Sequence, residues 1–137
     1  MSDARKMFRI IVLLGVAVNW AFGIWATVID PHGLLKAFGL GDQANVIWLY
    51  NYSVLLMILS LFYIPAAFNP FRYKWNAWLL IAGRLVPAST FLLGYLMGFM
   101  PRGILQLCAG DTLFGVLELI TLVILLREGP RPGDLAR

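Results

Sequence analysis

Four polar side chains occur inside sequence that is otherwise apolar enough for a lipid bilayer. An arginine, Arg84, interrupts the run W-L-L-I-A-G-R-L-V-P at residues 78–87, and two acids, Asp111 and Glu118, interrupt the last apolar block. Asn19 lies in the first block. An unpaired charge in hydrocarbon is costly, so each charged group is expected to face the interior of a helix bundle and to have a partner there. Ionisable groups at this depth are also candidates for a functional site.

The partner predicted for Arg84 is Glu118. The third and fourth apolar blocks are joined by a turn near Pro101; Arg84 lies 17 residues before this proline, and Glu118 lies 17 residues after it. Both helices rise by the same distance per residue, so the two side chains are expected at nearly the same depth. An error of two residues in the position of the turn moves them about 6 Å apart in depth, which a long arginine side chain can still span.

Asp111 and Asn19 are expected close to this pair. Asp111 lies seven residues before Glu118, so both acids face one side of the last helix, about 10 Å apart along its axis. Asn19 is about ten residues from the outer end of the first block, which places it near the depth of Asp111. Pro87 predicts a local kink, because it cannot donate a hydrogen bond to the Gly83 carbonyl. That free carbonyl is a second candidate partner for the guanidinium.

This intramembrane polar cluster admits three interpretations. Arg84 and Glu118 form a structural ion pair while Asp111 bonds to Asn19, or the two acids pass protons or hold a cation, or the cluster lines a pocket for a ligand such as a quinone. Close helix packing favours the structural ion pair, because a glycine lies next to, or one turn from, each polar position. The predicted packing positions are Gly15 and Gly23 on one stripe of the first block, Gly115 in the last block, and the G-x-x-x-G pair Gly94 and Gly98.

Four apolar blocks carry these residues, and each is long enough to cross a bilayer, which takes about 20 apolar residues per helix. They comprise residues 8–29, 46–68, 76–100 and 104–126. Hydrophobic residues make up 61% of the 137 residues and charged residues 13%, against roughly 45–50% and about 25% in soluble domains. The turn sequences D-P-H-G, N-P-F-R and M-P-R-G separate the blocks. The predicted fold class is therefore all-α, a four-transmembrane-helix bundle that forms one domain over residues 1–127.

The basic residues are distributed unequally between the two ends of this predicted bundle. Eight of them lie at the N-terminus, in the second loop and in the tail: Arg5, Lys6, Arg9, Arg72, Lys74, Arg127, Arg131 and Arg137. Two, Lys36 and Arg102, lie at the other end. Positively charged loops stay inside, so both termini are predicted to be cytoplasmic. The basic residues form no patch between aromatic residues, which argues against nucleic acid as a partner.

The segment between the first two blocks is too short to span a membrane. Asp30 can cap a helix that begins at Pro31, a favourable first-turn residue. Leu34, Leu35 and Phe38 would then share one face of that helix. This pattern predicts either a short extracytoplasmic interfacial helix or an ordered loop that covers the ends of the spans.

The two ends of the chain need their own interpretation. Arg5 and Lys6 precede an apolar run, as in a signal peptide, but this run has about 22 residues against about 7–15 for a signal core, and it lacks an A-x-A cleavage site. The first block is therefore predicted to be an uncleaved span.

Residues 128–137, E-G-P-R-P-G-D-L-A-R, are polar and rich in proline and are predicted to form a disordered cytoplasmic tail.

Several kinds of chemistry are disfavoured by the residue inventory. Cys108 is the single cysteine and His32 the single histidine, which excludes an internal disulfide, a cysteine metal cluster and a two-histidine haem within this chain. The sequence contains no phosphate loop, zinc-ligand spacing or nucleophile–base arrangement. We therefore predict neither metal nor cofactor, and an enzymatic function is disfavoured.

The hairpin N-P-F-R-Y-K-W-N-A-W-L-L-I-A-G-R-L, followed by G-D-T-L-F-G-V-L-E-L-I, resembles the DoxX-like group of small four-span bacterial membrane proteins. In that group a proline-basic loop precedes span three, a basic residue follows a glycine in that span, and an aspartate opens span four. Arg84 and Asp111 match these positions, whereas Glu118 matches none. The resemblance covers residues 46–126. It implies the four-span fold in a bacterial inner membrane. It also implies a respiratory or quinone-linked setting, because some members are thought to be subunits of quinone-linked oxidoreductases.

Two functions follow from these observations. The leading prediction is a non-enzymatic accessory or scaffolding subunit of a membrane complex, whose partners are the lipid bilayer and other membrane subunits or further copies of the chain. The alternative is a small proton-coupled transporter or carrier that uses Asp111 and Glu118. Carriers usually show internal repeats or broken spans, and neither is visible in the sequence, which favours the subunit.

Overall fold

The structure, a computed structural model, describes residues 2–41, 45–130, 132 and 134. Every regular element in these residues is a helix, which confirms the all-α prediction. The helices are α1 (Asp3–Ile24), continued by a π-helical segment (Trp25–Ile29), α2 (Pro31–Ala37), α3 (Ile47–Leu61), α4 (Ile64–Phe68), α5 (Lys74–Leu96) and α6 (Ile104–Glu128).

Four helical segments are long and apolar enough to cross a membrane, as predicted. They are Asp3–Ile29, Ile47–Phe68, Lys74–Leu96 and Ile104–Glu128. Only 22–28% of the most apolar part of each segment is buried inside the protein, and the outward faces carry large apolar side chains. A surface this apolar is rare on soluble monomers and is normal where helices contact lipid. These features are those of a multi-pass membrane protein.

Helix α5 ends at Leu96, four residues before the predicted end of the third block. The reason is Gly98, which has a φ of +78°. The amide of Gly98 donates to the Tyr95 carbonyl and the amide of Phe99 donates to the Gly94 carbonyl, over 3.0 and 2.9 Å. This is a Schellman motif, in which a left-handed glycine closes the helix. A glycine that the sequence suggested as a packing position is thus a helix terminator.

The second span consists of two helices, α3 and α4, with a turn at Phe62 and Tyr63 between them. Pro65 lies in the first turn of α4 and has no amide hydrogen with which to continue the helix of α3. The Asn76 side chain of α5 donates to the Phe62 carbonyl over 2.7 Å, so α5 supplies a hydrogen-bond partner for the backbone at this break. The prediction of one continuous block missed this break.

Helix α1 lies at the centre of the packing, in contact with α3, α4 and α6, while α5 packs along α6. Helix α3 packs against α1 rather than against α5, and the second span meets α5 mainly through α4. Two apolar clusters fill the interior. One surrounds Phe8, Tyr63 and Leu122, and the other lies at the α2 end around Leu34 and Ile104. The polar side chains of the spans lie between these clusters.

The short helix α2 confirms the predicted cap and shows what the helix does. The Asp30 side chain accepts a hydrogen bond from the Gly33 amide over 2.8 Å, and Pro31 occupies the first turn. Leu34 and Leu35 are 0% and 1% exposed and belong to the apolar cluster at this end of the bundle. Helix α2 therefore covers the ends of the spans, and these two leucines face protein.

The tail differs from the predicted disordered segment at Asp134, which is buried against the N-terminal helix. Arg5 donates to both carboxylate oxygens of Asp134, over 2.8 and 2.7 Å. The Asn69 side chain donates to the Asp134 carbonyl over 3.0 Å. The N-terminus, the α4–α5 loop and the tail therefore meet at one end of the bundle. The predicted tail also includes residues 131, 133 and 135–137, which lie outside the described residues.

Candidate functional site

Arg84 lies at the centre of the polar cluster and links three helices. It projects from α5, is 4% exposed, and donates from Nη1 to Oδ1 of Asn19 on α1 over 2.8 Å and to Oδ1 of Asp111 on α6 over 2.9 Å. The ring of Phe114 lies 5.2 Å from the guanidinium carbon. Charge, hydrogen bonds and an aromatic face are all supplied within the chain, as a cation at membrane depth requires.

The predicted pairing of Arg84 with Glu118 is wrong, because the ion pair of Arg84 is with Asp111. The gap between α5 and α6 is centred near residue 100, so the position opposite Arg84 lies between the two acids. Depth therefore favoured Glu118 only slightly, and Asp111 is about 10 Å farther along α6, within reach of a long side chain. Asn19 supplies a second acceptor beside Asp111. The predicted bond between Asp111 and Asn19 is replaced by their shared bonds to Arg84.

Glu118 is fully buried, at 0% exposure, and neither of its carboxylate oxygens has a hydrogen-bond donor in the described protein. Near it lies Arg84 Nη2, which has no hydrogen-bond acceptor among the described residues. A Cβ atom placed on Gly15 would lie 2.7 Å from Arg84 Nη2 and 3.4 Å from Glu118 Oε1. The guanidinium and the second acid thus border the same small space over Gly15.

The cluster keeps further hydrogen-bonding capacity. Arg84 Nε, Arg84 Nη2 and Asn19 Nδ2 are buried donors without an acceptor in the described residues. Buried polar groups in proteins are nearly always hydrogen-bonded, to protein, to water or to a ligand. The donors of Arg84 and Asn19 and the acceptor oxygens of Glu118 are therefore among the buried polar atoms of the described residues that remain available to bond.

The glycines near the cluster occupy close helix contacts. The place of a Gly15 Cβ is taken by the Arg84 guanidinium, that of Gly23 by the Met57 side chain, and that of Gly115 by the Leu85 side chain. Small residues let membrane helices approach closely in this way. Of the G-x-x-x-G pair, Gly94 faces Met100 of its own hairpin, and no described atom lies within 4 Å of a Cβ placed on Gly98. Neither glycine has an atom of another described helix among the nearest neighbours of its Cβ position.

Helix α5 runs through Pro87, with regular structure on both sides. Arg84 makes no hydrogen bond to the Gly83 carbonyl, the second partner suggested by the sequence. Instead, the space beside Gly83 is filled by the Tyr63 side chain, whose hydroxyl occupies the place of a Gly83 Cβ. Pro87 removes one helical hydrogen bond near the cluster, and a kink there stays a prediction.

A cavity of about 160 Å³ adjoins the cluster. Its wall includes Asn19, Phe22, Tyr52, Arg84, Gln106 and Asp111. No sequence pattern singles out Tyr52 or Gln106, which line this cavity from the second span and from the start of the fourth. A second, apolar cavity of about 390 Å³ lies toward the α2 end. Both cavities are lined by Phe22, Tyr52 and Leu107, so they adjoin each other.

Metal binding has no support in the described part of the chain, where no three His, Cys, Asp or Glu side chains are grouped closely enough to hold an ion. Cys108 is buried in α6. No protein-family model matches the chain, and no curated protein or solved structure matches it significantly. The resemblance to DoxX-like proteins stays a prediction.

Proposed function

We propose that this protein is a non-enzymatic accessory or scaffolding subunit of a membrane complex. The observation that carries the proposal is the bonding of Arg84, whose Nη1 is committed to Asn19 and Asp111 on two other helices. Breaking a buried ion pair is strongly destabilising, so this group holds α1, α5 and α6 in one arrangement. A cation bonded in this way stabilises the arrangement of the helices. That is the property an accessory subunit requires, since such a subunit needs a defined shape and no reactive group.

The surface supports a role in assembly. Most of each span faces outward, and the exposed side chains there are large and apolar, for example Val28, Val86 and Leu93 at 76%, 62% and 59% exposure. A bundle with a small interior and a large apolar exterior offers area mainly to lipid and to neighbouring membrane helices. We propose other membrane subunits, or further copies of this chain, as those neighbours.

The proposed setting is a bacterial inner membrane with both termini in the cytoplasm. The end of the bundle where Arg5 meets Asp134 carries most of the basic residues, and positively charged segments stay inside. Helix α2 then lies at the extracytoplasmic surface, where short amphipathic helices are common. The DoxX-like resemblance adds a respiratory or quinone-linked complex to this proposal. Its two matching positions, Arg84 and Asp111, are the residues that form the central ion pair.

A proton-coupled carrier is the second candidate, and one observation favours it. Glu118 is fully buried and has no hydrogen-bond donor among the described residues, and it lies beside the unused Nη2 of Arg84. Acids at membrane depth serve as proton relays in transporters. An arginine that can pair with either of two acids, Asp111 or Glu118, would couple the position of a proton to the packing of α5 on α6.

Purification in a mild detergent followed by mass analysis of the intact particle separates the two functions. Other membrane subunits in fixed stoichiometry support the accessory role. Arg84→Met should release them by loosening the bundle, whereas the control Val86→Met, at an exposed site on the same helix, should retain them. A homo-oligomer free of other proteins would favour the carrier over the accessory role, since copies of the chain alone leave no other subunit to support. Proton-driven uptake by that oligomer, lost in Glu118→Gln, would establish the carrier.

A further inference from the structure

We propose that the cleft between α3 and the α5–α6 hairpin binds an uncharged lipophilic molecule. Its hydrogen-bond-accepting oxygen would lie beside Asn19 and Arg84, and its apolar part would extend toward the α2 end of the bundle. This binding site goes beyond the subunit role proposed above and does not depend on it.

The apolar part of the ligand is defined by the cavity of about 390 Å³, whose wall includes Trp48, Phe91 and Ile104. Small-molecule sites have volumes of roughly 300–1,000 Å³ and are lined mostly by apolar and aromatic side chains. This cavity is therefore large enough for an alkyl chain or a ring system. Its chemistry favours a hydrocarbon over water.

The polar end of the ligand is defined by the adjoining cavity of about 160 Å³. Asn19 is 3% exposed, and its Oδ1 already accepts a hydrogen bond from Arg84, so Nδ2 is the part of the amide that remains free among the described residues. Arg84 likewise has only donors to offer, because a guanidinium has no acceptor. A ligand group that bonds to the free atoms of Asn19 and Arg84 must therefore be an acceptor, such as a carbonyl, ether or hydroxyl oxygen.

The ligand is uncharged because the wall of the cavity is already neutral. Arg84 and Asp111 neutralise each other over 2.9 Å. A charged ligand would leave one charge uncompensated at membrane depth, which is costly. A carboxylate would have to compete with Asp111 for the guanidinium, and an ammonium group would have to compete with the guanidinium for Asp111.

The packing of the helices gives the ligand access from the bilayer. Helix α3 lies against α1, and the second span meets α5 mainly through α4, near the end of the bundle where the chain termini meet. The other half of the second span is therefore separated from the α5–α6 hairpin, and both cavities lie in this gap. Trp48 lies in the wall of the apolar cavity and is 44% exposed at the protein surface.

Binding is tested with four probes of equal chain length: 2-dodecanone, dodecane, dodecylamine and dodecanoate. Each is added to the purified full-length protein in detergent, and bound probe is counted by native mass spectrometry at neutral pH. We expect the ketone to bind at least tenfold more tightly than each of the other three. Equal binding of ketone and alkane would overturn the proposal by showing a purely apolar surface. Tightest binding of the amine or the carboxylate would overturn it by showing a charged site.

Two variants locate the bound ketone. Gly110 lines the polar cavity, and no described atom lies within 4 Å of a Cβ placed on it, so Gly110→Phe should fold and reduce ketone binding at least tenfold. The control Leu113→Phe, at a 60% exposed site on the same helix, should bind normally. Asn19→Leu should bring the ketone close to the alkane in affinity while alkane binding persists. Unchanged ketone binding in both Gly110→Phe and Asn19→Leu would place the probe elsewhere and refute the site.

Discussion

Arg84 donates a hydrogen bond of 2.9 Å to Asp111, across the interface of α5 and α6 and well inside the apolar part of the chain. Its position and chemistry are those of an internal cross-link between spans. The same Nη1 also reaches Asn19, so α1 is held by the same guanidinium. With two acids within reach, the arginine pairs with the one that has a neutral acceptor beside it.

The Arg84–Asp111 pair predicts a non-additive pair of substitutions. Arg84→Leu should destabilise the protein in detergent, because it leaves Asp111 as a buried charge without its partner. Asp111→Leu should destabilise it less, because Glu118 remains beside Arg84 as a second acid. Breaking a buried pair costs about 3–5 kcal/mol in soluble proteins, and individual hydrogen bonds in membrane proteins average about 0.6 kcal/mol, so the loss should fall between these values. The double leucine variant should recover much of it, as measured by thermal unfolding.

The matching double variant with Glu118 is the control. Arg84→Leu combined with Glu118→Leu should show less recovery, because Asp111 then remains as the unpaired acid. Greater recovery in this second double variant would mean that Glu118, and not Asp111, is the energetically important partner of Arg84.

Gly15 predicts a steric effect on the same arginine. A methyl group at Gly15 would lie 2.7 Å from Arg84 Nη2, so Gly15→Ala must displace the guanidinium or separate α1 from α5. We expect a loss of about 1–3 kcal/mol, the usual cost of overpacking a tight contact. Gly110→Ala is the matched control, since no described atom lies within 4 Å of its added methyl group, and it should be neutral or slightly stabilising. Equal effects of Gly15→Ala and Gly110→Ala on stability would show that Gly15 makes no close contact with Arg84.

The sequence was sufficient for the fold because membrane spans are specified by long-range composition. Twenty apolar residues bounded by proline turns leave the backbone one satisfactory structure, the helix. The ends of the spans were harder to predict, because single residues decide them. Gly98 ends α5 through its left-handed conformation, and Pro65 divides the second span, although both positions lie inside continuous apolar sequence.

The site was predictable in its members but not in its bonds. The cost of exposing polar and charged side chains to hydrocarbon identified Arg84, Asp111, Glu118 and Asn19 as facing the interior of the bundle. The two acids lie about two turns apart on α6, on either side of the position opposite Arg84, and which of them pairs with the arginine depends on side-chain direction, which spacing alone does not resolve. The cavity depends on the separation of α3 from α5, a tertiary feature with no local signal.

Helix α2 predicts a pattern of thiol accessibility that also tests the orientation. In a Cys108→Ala background, cysteine at Lys36 should react with a membrane-impermeant thiol reagent added to intact cells, because this position is exposed at the proposed outer surface. Cysteine at Leu35 should resist, being buried against the ends of the spans. Cysteine at Tyr73, exposed at the opposite end, should react only after the cells are opened. Labelling at Tyr73 but not at Lys36 in intact cells would invert the orientation.

The contact between Arg5 and Asp134 predicts that the tail is held at the proposed cytoplasmic end. Both oxygens of Asp134 accept hydrogen bonds from Arg5, and charged hydrogen bonds contribute about 1.5–3 kcal/mol each at most. Asp134→Ala should therefore speed proteolysis of the C-terminus several-fold while the melting temperature of the bundle changes little. Asp3→Ala, at an acid near the same end whose side chain is 96% exposed, is the control and should leave the rate unchanged. Equal rates in wild type and Asp134→Ala would show that the contact does not restrain the tail.

Amide substitutions of the two acids test whether Arg84 can exchange partners. Asp111→Asn keeps the shape of the side chain and removes its charge, and Glu118 then remains beside Arg84 Nη2 as a replacement anion. Glu118→Gln leaves the existing ion pair intact. Each single change should therefore cost no more than about 1 kcal/mol, near the range of single membrane hydrogen bonds. The double change leaves Arg84 with no acid at membrane depth and should cost about 3–5 kcal/mol, far more than the sum of the two. Thermal unfolding of all four proteins gives this coupling directly. If the double variant is only as unstable as the two single effects added together, Glu118 does not serve as the second partner, and the carrier hypothesis loses its mechanism.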